Sequence, residues 1–231
     1  MDRAEEIKRQ KVKGIVLLLS FAAIFVVFML PIFNGMNGMV YLDNLYNIIS
    51  KASCYFIPEL EEKAGKLAGK EIEVKLEMLN NKQAENIAKL LTTTGSDVTI
   101  QGNTINLKGD LGAILTTVIE DSDYMYKNNG DFVRNKYGYD EKEVMYNWYV
   151  TLEEMKNDLN KQKMFSEAQD VVTVKKKAVE VAYNYYGINS KSIQEVWHIV
   201  VLSLVFYVIY TMWYGFGLLY TFEGLGFKLE H

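Results

Sequence analysis

The chain is poor in the residues that most enzymes rely on. Of 231 residues, one is cysteine, two are histidine and two are proline. Cys54 has no second cysteine with which to close an intramolecular disulfide, and no histidine follows it to make a haem-attachment motif. The mixed segment between Phe33 and Cys54 also excludes lipid attachment, which needs the cysteine beside an apolar run. A half-buried structural thiol is the default, with an intersubunit disulfide as the alternative. His198 falls inside a long apolar run and His231 is the last residue, so no pair stands at metal-ligand spacing. Serine-nucleophile motifs are absent, and so is a histidine in the polar middle to serve as their base. Acid–base chemistry would fall to carboxylates, lysines or tyrosines. The expectation is a protein that is not an enzyme and holds no cofactor or metal.

Charge of one sign is also lacking. The net charge is −4, with lysines and acids interspersed. Across the middle domain Lys175-Lys176-Lys177 is the one local basic run, which a solvated helix face explains better than a nucleic-acid footprint. Neither strand-to-helix joint, Asn80-Asn81 or Gly109-Asp110, carries a glycine-rich phosphate loop, so nucleotide binding is not expected.

What the chain does have is two long runs without charge. Gly14 to Phe33 reads GIVLLLSFAAIFVVFMLPIF, and Val196 to Phe222 reads VWHIVVLSLVFYVIYTMWYGFGLLYTF. A bilayer core of ~30 Å needs about 20 apolar residues in a helix, so each run can cross it. A soluble core helix would be shorter, with a polar face. The first run exceeds a signal-peptide core and lacks a small-x-small cleavage site, which points to a retained anchor. Arg3, Lys8, Arg9, Lys11 and Lys13 precede it, while Asn34 to Ser50 has no lysine or arginine. By the positive-inside bias both termini are cytoplasmic and the middle is translocated. The domain reading is therefore 1–13 cytoplasmic, 14–33 membrane helix, 34–195 extracytoplasmic, 196–222 membrane helix and 223–231 cytoplasmic tail. That tail, EGLGFKLEH, is too short to fold as a transmitter domain. About 160 residues lie between the spans, the size of one domain.

The middle changes period along its length. Asn34 to Gly38 reads as a turn, Val40 to Ile49 as an amphipathic helix, and Glu59 to Leu67 as a helix opened by Pro58 and ended near Gly69. Ile72, Val74, Leu76 and Met78 alternate with Glu71, Glu73, Lys75 and Glu77, a half-buried strand. A helix capped by Asn80 or Asn81 follows, then two strands joined by Gly102-Asn103, then a helix capped by Asp110. This is a β-α-β-β-α unit with helices on one face of a small sheet. Asp140 starts a helix carrying Trp148, Leu152, Met155 and Leu159 in a heptad-like stripe, either packed on the domain or used for assembly. A second helix, Phe165 to Tyr186, turns Val171, Val174, Ala178, Val181, Ala182 and Tyr185 inward to complete a long hairpin. The fold class is α+β, with two membrane helices flanking the domain.

Glu120-Asp121-Ser122-Asp123, with Asn128, Asn129 and Asp131, is dense enough in oxygen for calcium. Tyr126 stands where an EF-hand loop needs glycine, so a solvated helix end and loop is the reading kept. Tyrosines from Tyr124 to Tyr149 could serve a ligand pocket or a partner surface. In the second span, Ser203, Tyr207, Tyr210, Thr211 and Gly215 form a candidate face toward another helix. No charged residue marks an ion path.

The expected function is a membrane-anchored subunit or scaffold whose extracytoplasmic domain binds a partner. Its partners would be the bilayer and either further copies of itself or another membrane protein. An oligomeric two-span channel and a ligand sensor signalling through a separate protein share the topology. The channel lacks a charged selectivity ring.

Overall fold

The computed structural model describes residues 3–227. His231 lies outside them, as do Lys228, Leu229 and Glu230 of the short tail. In chain order the elements are α1 (Arg3–Met29), α2 (Gly38–Ser53), α3 (Ile57–Gly65), β1 (Glu71–Glu77), α4 (Asn81–Thr92), β2 (Asp97–Gln101), β3 (Thr104–Asp110), α5 (Leu111–Tyr126), α6 (Gly130–Tyr137), α7 (Glu141–Lys161), α8 (Phe165–Val174), a π-helical turn (Lys175–Val179), α9 (Glu180–Tyr185) and α10 (Ile193–Gly224). They pack as two compact units. One comprises the chain up to Ile49 together with the chain from Lys191, and the other is Ser50–Ser190.

In the first unit α1 and α10 lie side by side in antiparallel order. Both are long and apolar enough to cross a membrane, and 6% of the most apolar stretch of each is buried inside the protein. A core helix of a soluble protein would be mostly covered. Small residues let the two backbones approach. A Cβ at Gly14 would lie 2.4 Å from the Thr221 backbone nitrogen, and one at Gly224 would lie 2.3 Å from that of Lys11. Further along the seam Phe21 stacks on Tyr210 with centroids 4.2 Å apart, and Phe28 stacks on Phe206 at 5.8 Å. The first helix stops at Met29, short of the apolar run's end at Phe33. Pro31 disfavours helical geometry at Leu30 and supplies no N–H of its own. Asn34 and Gly35 then take φ of 53° and 81°, and Phe33 and Met36 exchange two backbone hydrogen bonds of 3.0 Å around them. The second helix exceeds its apolar run at both ends, starting from a capping box between Ser192 and Glu195.

The second unit is a three-stranded antiparallel sheet covered on one face by helices. Strand order is β1-β3-β2, with Val74 and Val98 both opposite Leu107 and Leu76 and Ile100 both opposite Ile105. Burial along β1 alternates strictly, so the charged residues from Glu71 to Glu77 face out. The Asn80 side chain caps α4 by accepting from the Gln83 N–H at 2.9 Å. At Gly102-Asn103 only the glycine has positive φ, 63°, the sign pattern of a type II′ turn. Asp110 accepts from Gly112 N–H and from Gly69 N–H, each at 2.8 Å, which fixes α5 against the turn after α3. That turn sets the end of α3 at Gly65, earlier than the helix to Leu67 read from periodicity.

The helical hairpin differs from its heptad reading in two ways. Trp148, Leu152, Met155 and Leu159 each have 0% exposure, so the stripe is domain core and not an assembly surface. A side chain as large as tryptophan contributes several kcal/mol in such a place, about 3–5 on truncation. Sequence spacing could not tell a stripe facing its own sheet from one facing a second copy. The second difference is the π-helical turn. One wider turn shifts the face that follows it, so Val179 is buried while Val181 and Tyr185 are only half-buried. It also brings Lys175 inward, its Nζ 2.5 Å from Glu153 Oε2 and 4.6 Å from the centre of the Tyr149 ring.

Candidate functional site

The two edges of the sheet are treated differently. Beyond β1 lies α7, whose side chains meet the strand's outward backbone groups. Lys75 N–H donates to Asp158 at 3.1 Å, and Gln162 Nε2 donates to the Glu73 carbonyl at 2.7 Å. That edge is covered by α7, with two of its outward groups bonded.

On β2 the outward groups can be assigned from the hairpin. A two-residue loop closes on a hydrogen-bonded pair, so Gln101 and Thr104 exchange both bonds. By alternation Thr99 bonds Asn106 and Asp97 bonds Lys108, following the register. The N–H and C=O of Val98 and Ile100 therefore point away from β3. The same alternation makes Glu71, Glu73, Lys75 and Glu77 the outward residues of β1, in agreement with the bonds of Glu73 and Lys75 to side chains at α7 and its end. Among the described residues no side chain or backbone group meets the outward groups of Val98 and Ile100.

Beside this open edge is a shallow cleft of about 700 Å³ between α4, β2 and the end of α6. Its lining includes Ala88, Thr92, Ile100 and Tyr137, with Glu85, Lys89 and Lys136 at the rim. Val98 and Ile100 turn their side chains to the helical face, as their register partners Leu107 and Ile105 do, but no further strand covers them. Ile100 is 41% exposed, while both partners are fully buried. Ala88, small and nearly buried, leaves room where a larger residue of α4 would fill the cleft.

The floor is held rigid from below. The fully buried Asp121 accepts from Tyr137 Oη at 2.6 Å, Lys136 Nζ at 2.7 Å and Trp148 Nε1 at 2.8 Å. Charge-assisted hydrogen bonds from α6 and α7 thus converge on one carboxylate of α5. Burial, together with the Asp121 charge and hydrogen bond, lifts the Tyr137 phenol far above its ordinary pKa of 10.0, so it stays a donor. Burial likewise pushes the neighbouring Tyr139 up to about 12. The acidic run is therefore not one solvated cluster. Asp121 and Ser122 turn inward, while Asp123 accepts from Tyr55 and Lys127. Among the described residues no three His, Cys, Asp or Glu side chains are grouped to hold a metal. Cleft and edge together can bind an extended strand: four backbone groups give affinity, and the apolar floor gives selectivity.

The face proposed on the second span is only partly free. Ser203 donates to the Val200 carbonyl and lies 2.9 Å from the Tyr46 hydroxyl, and Tyr210 is stacked on Phe21 with its hydroxyl enclosed and unpartnered among the described residues. Thr211 donates to the Tyr207 carbonyl at 2.7 Å. Tyr207, Thr211 and Gly215 remain exposed, and Gly217, not Gly215, packs against Leu18 of α1. Ser203, Tyr207, Tyr210 and Thr211 also border an apolar groove of about 390 Å³ with Phe25 and Phe28.

Sequence reasoning missed three residues. Asp121 lies three positions after Val118 and four before Met125, so helical spacing alone puts it on the inner face of α5. Ile100 carries no mark of an open edge, because strand order is not visible in one sequence. Lys51 is the one basic residue between Lys13 and Lys63, and that isolation was the available signal. It is 1% exposed, and its Nζ donates to Ile188 O at 2.6 Å and to Tyr185 O and Asn128 Oδ1 at 3.1 Å. Cys54, three residues on, is a free half-buried thiol. Compared with known proteins, the chain matches no family model, no curated protein and no solved structure.

Proposed function

We propose that this chain is a membrane-anchored, non-enzymatic assembly subunit whose Ser50–Ser190 domain docks an extended protein strand along β2. The observation that carries this reading is the contrast between the covered edge of β1 and the open edge of β2 beside its cleft. Long, unblocked edges are a hazard that proteins usually cover, so an edge left open next to an apolar cleft fits a use. In this reading α1 and α10 anchor the chain, with both termini cytoplasmic and the domain extracytoplasmic. The basic residues before Gly14 and their absence from Asn34 to Ser50 support that orientation.

The test is Ile100→Pro in the full-length protein. Proline removes one outward N–H without touching the β2–β3 ladder, which an edge strand tolerates. In mild detergent and in nanodiscs the variant should run as a smaller complex than the wild type, with the circular dichroism spectrum unchanged. A complex of the same size with the domain intact would end the docking reading.

A further inference from the structure

Resting on that reading of the β2 edge, we infer that the docked strand is the β2 of a second copy, paired antiparallel about a two-fold axis at Thr99. The register is self-complementary. Val98 of one copy faces Ile100 of the other, and these are the residues whose N–H and C=O groups point outward, so the two pairs exchange four hydrogen bonds. Thr99 meets Thr99 on the axis, and Asp97 meets Gln101, so no like charges oppose. A shift by one residue would place outward groups opposite inward ones and lose the bonds.

The axis stands perpendicular to the joined six-stranded sheet, which puts the helical layers of both copies on the same face. Apolar Val98 and Ile100 of each copy then cover the other's exposed Ile100 and the cleft floor at Ala88 and Tyr137. The α4 helices face one another across the seam in antiparallel order. Glu85 and Lys89, one turn apart on α4, form no ion pair with any described residue of their own chain. Opposite charges at that spacing are what an antiparallel crossing of two identical helices can satisfy, Glu85 of one copy toward Lys89 of the other. A five-residue strand is a small interface. Confinement of both copies to one bilayer raises their effective concentration, so a small isologous contact suffices.

Cysteine cross-linking of full-length protein in its membrane tests the register, with Cys54→Ser as background. Thr99 and the Asp97–Gln101 pair fall at non-hydrogen-bonded positions, where Cα atoms are ~4.5 Å apart and within reach of a disulfide. Thr99→Cys should convert most of the chain to a disulfide-linked homodimer under mild oxidation. Asp97→Cys and Gln101→Cys, separately tagged and co-expressed, should give a mixed-tag dimer at least several-fold above either alone, and Glu73→Cys on the covered edge should give none. A benzophenone photocrosslinker at Thr99 provides the second readout. If it labels a protein of different mass and the cysteine gives no homodimer, the second copy is the wrong occupant while the docking edge stands. If neither reagent labels anything, and Ile100→Pro leaves complex size unchanged, both readings fall.

Discussion

Asp121 and Lys51 are both buried charges in the same domain, and they are stabilised in opposite ways. Asp121 sits in the middle of α5 with a counter-ion, Lys136, and two neutral donors, Tyr137 and Trp148. Among the described residues Lys51 has no carboxylate partner. Its ammonium is held by two backbone carbonyls, one amide oxygen and the face of the Tyr126 ring at 4.9 Å. The first arrangement neutralises a charge, whereas the second replaces its hydration with fixed dipoles. Their places in the chain match the difference. Asp121 fastens three helices beneath the cleft. Lys51 fastens the first residues of the domain to its last ones, because Tyr185 and Ile188 lie just before Ser190 and Tyr126 Oη donates to the Lys51 carbonyl at 2.5 Å.

The largest effect is expected at the paired charge. Asp121→Leu leaves the Trp148 N–H without its acceptor, the Lys136 ammonium with the more distant Glu120 at 3.7 Å and the Tyr137 hydroxyl with Thr93 at 3.5 Å. Removing one partner of a buried pair costs about 3–5 kcal/mol. For a domain of this size that is on the order of a 10 °C fall in melting temperature. Thermal unfolding of the full chain followed by near-ultraviolet circular dichroism reads it, with Trp148 among the three tryptophans that report. A loss under about 1 kcal/mol would mean that the network is incidental to stability.

Lys51→Met should cost less, about 1–3 kcal/mol, because every acceptor it abandons keeps another donor. Asn128 Oδ1 still accepts from Gly187 N–H, Ile188 O from Asn128 Nδ2, and Tyr185 O from Ile188 N–H. Its signature is in the pH dependence. Burial lowers the Lys51 pKa from its usual 10.5, so between the folded and unfolded values the unfolded chain binds more protons. Stability contributed by this group therefore rises with pH through that window and levels off above 10.5. The raised phenols of Tyr137 and Tyr139 act in the opposite direction near the same pH, because there the folded chain holds more protons. The difference between wild type and Lys51→Met isolates the lysine. A flat difference from pH 8 to pH 11, a range chosen as roughly that of a depressed lysine, would show that Lys51 feels no desolvation.

The unequal legibility of these features follows from what periodicity can encode. Strand β1, the Gly102-Asn103 hairpin and the Asn80 and Asp110 caps were readable, because each is settled within a few residues of chain. The stripe through Trp148 was readable as a stripe, but not its partner, since the same spacing suits a sheet or a second helix. The π-helical turn leaves no mark in a sequence whose valines fit either face. The open edge of β2 depends on β3 pairing between β1 and β2, a long-range choice that no local pattern reports. The buried charges divide the same way: Asp121 was read with a solvated run although helical spacing could have turned it inward, whereas the partners of Lys51 are about 75 to 140 positions away, carried there by the fold.

The smallest effect on stability, and the sharpest test of the contrast, is expected from Asn128→Asp. This substitution gives Lys51 the kind of partner that Asp121 already has. The carboxylate keeps the acceptor for Lys51 and for Gly187 N–H, and Asn128 already stands at φ 60°, which aspartate tolerates better than most residues. Against this, the substitution removes the donations from Nδ2 to Ile188 O at 3.0 Å and to Asn189 Oδ1 at 3.2 Å, and turns an oxygen toward both acceptors. The gain of an ion pair and the loss of two neutral hydrogen bonds, one of them at the exposed Asn189, are of similar size, so the net change at neutral pH should stay within about 1 kcal/mol. The titration should change much more. With a carboxylate at 3.1 Å in place of an amide oxygen, the charged lysine is favoured and its pKa moves upward, opposing desolvation. The rise of stability with pH that marks Lys51 in the wild type should shrink or reverse in Asn128→Asp. Persistence of the wild-type profile would mean that backbone carbonyls, not residue 128, set the charge of this site.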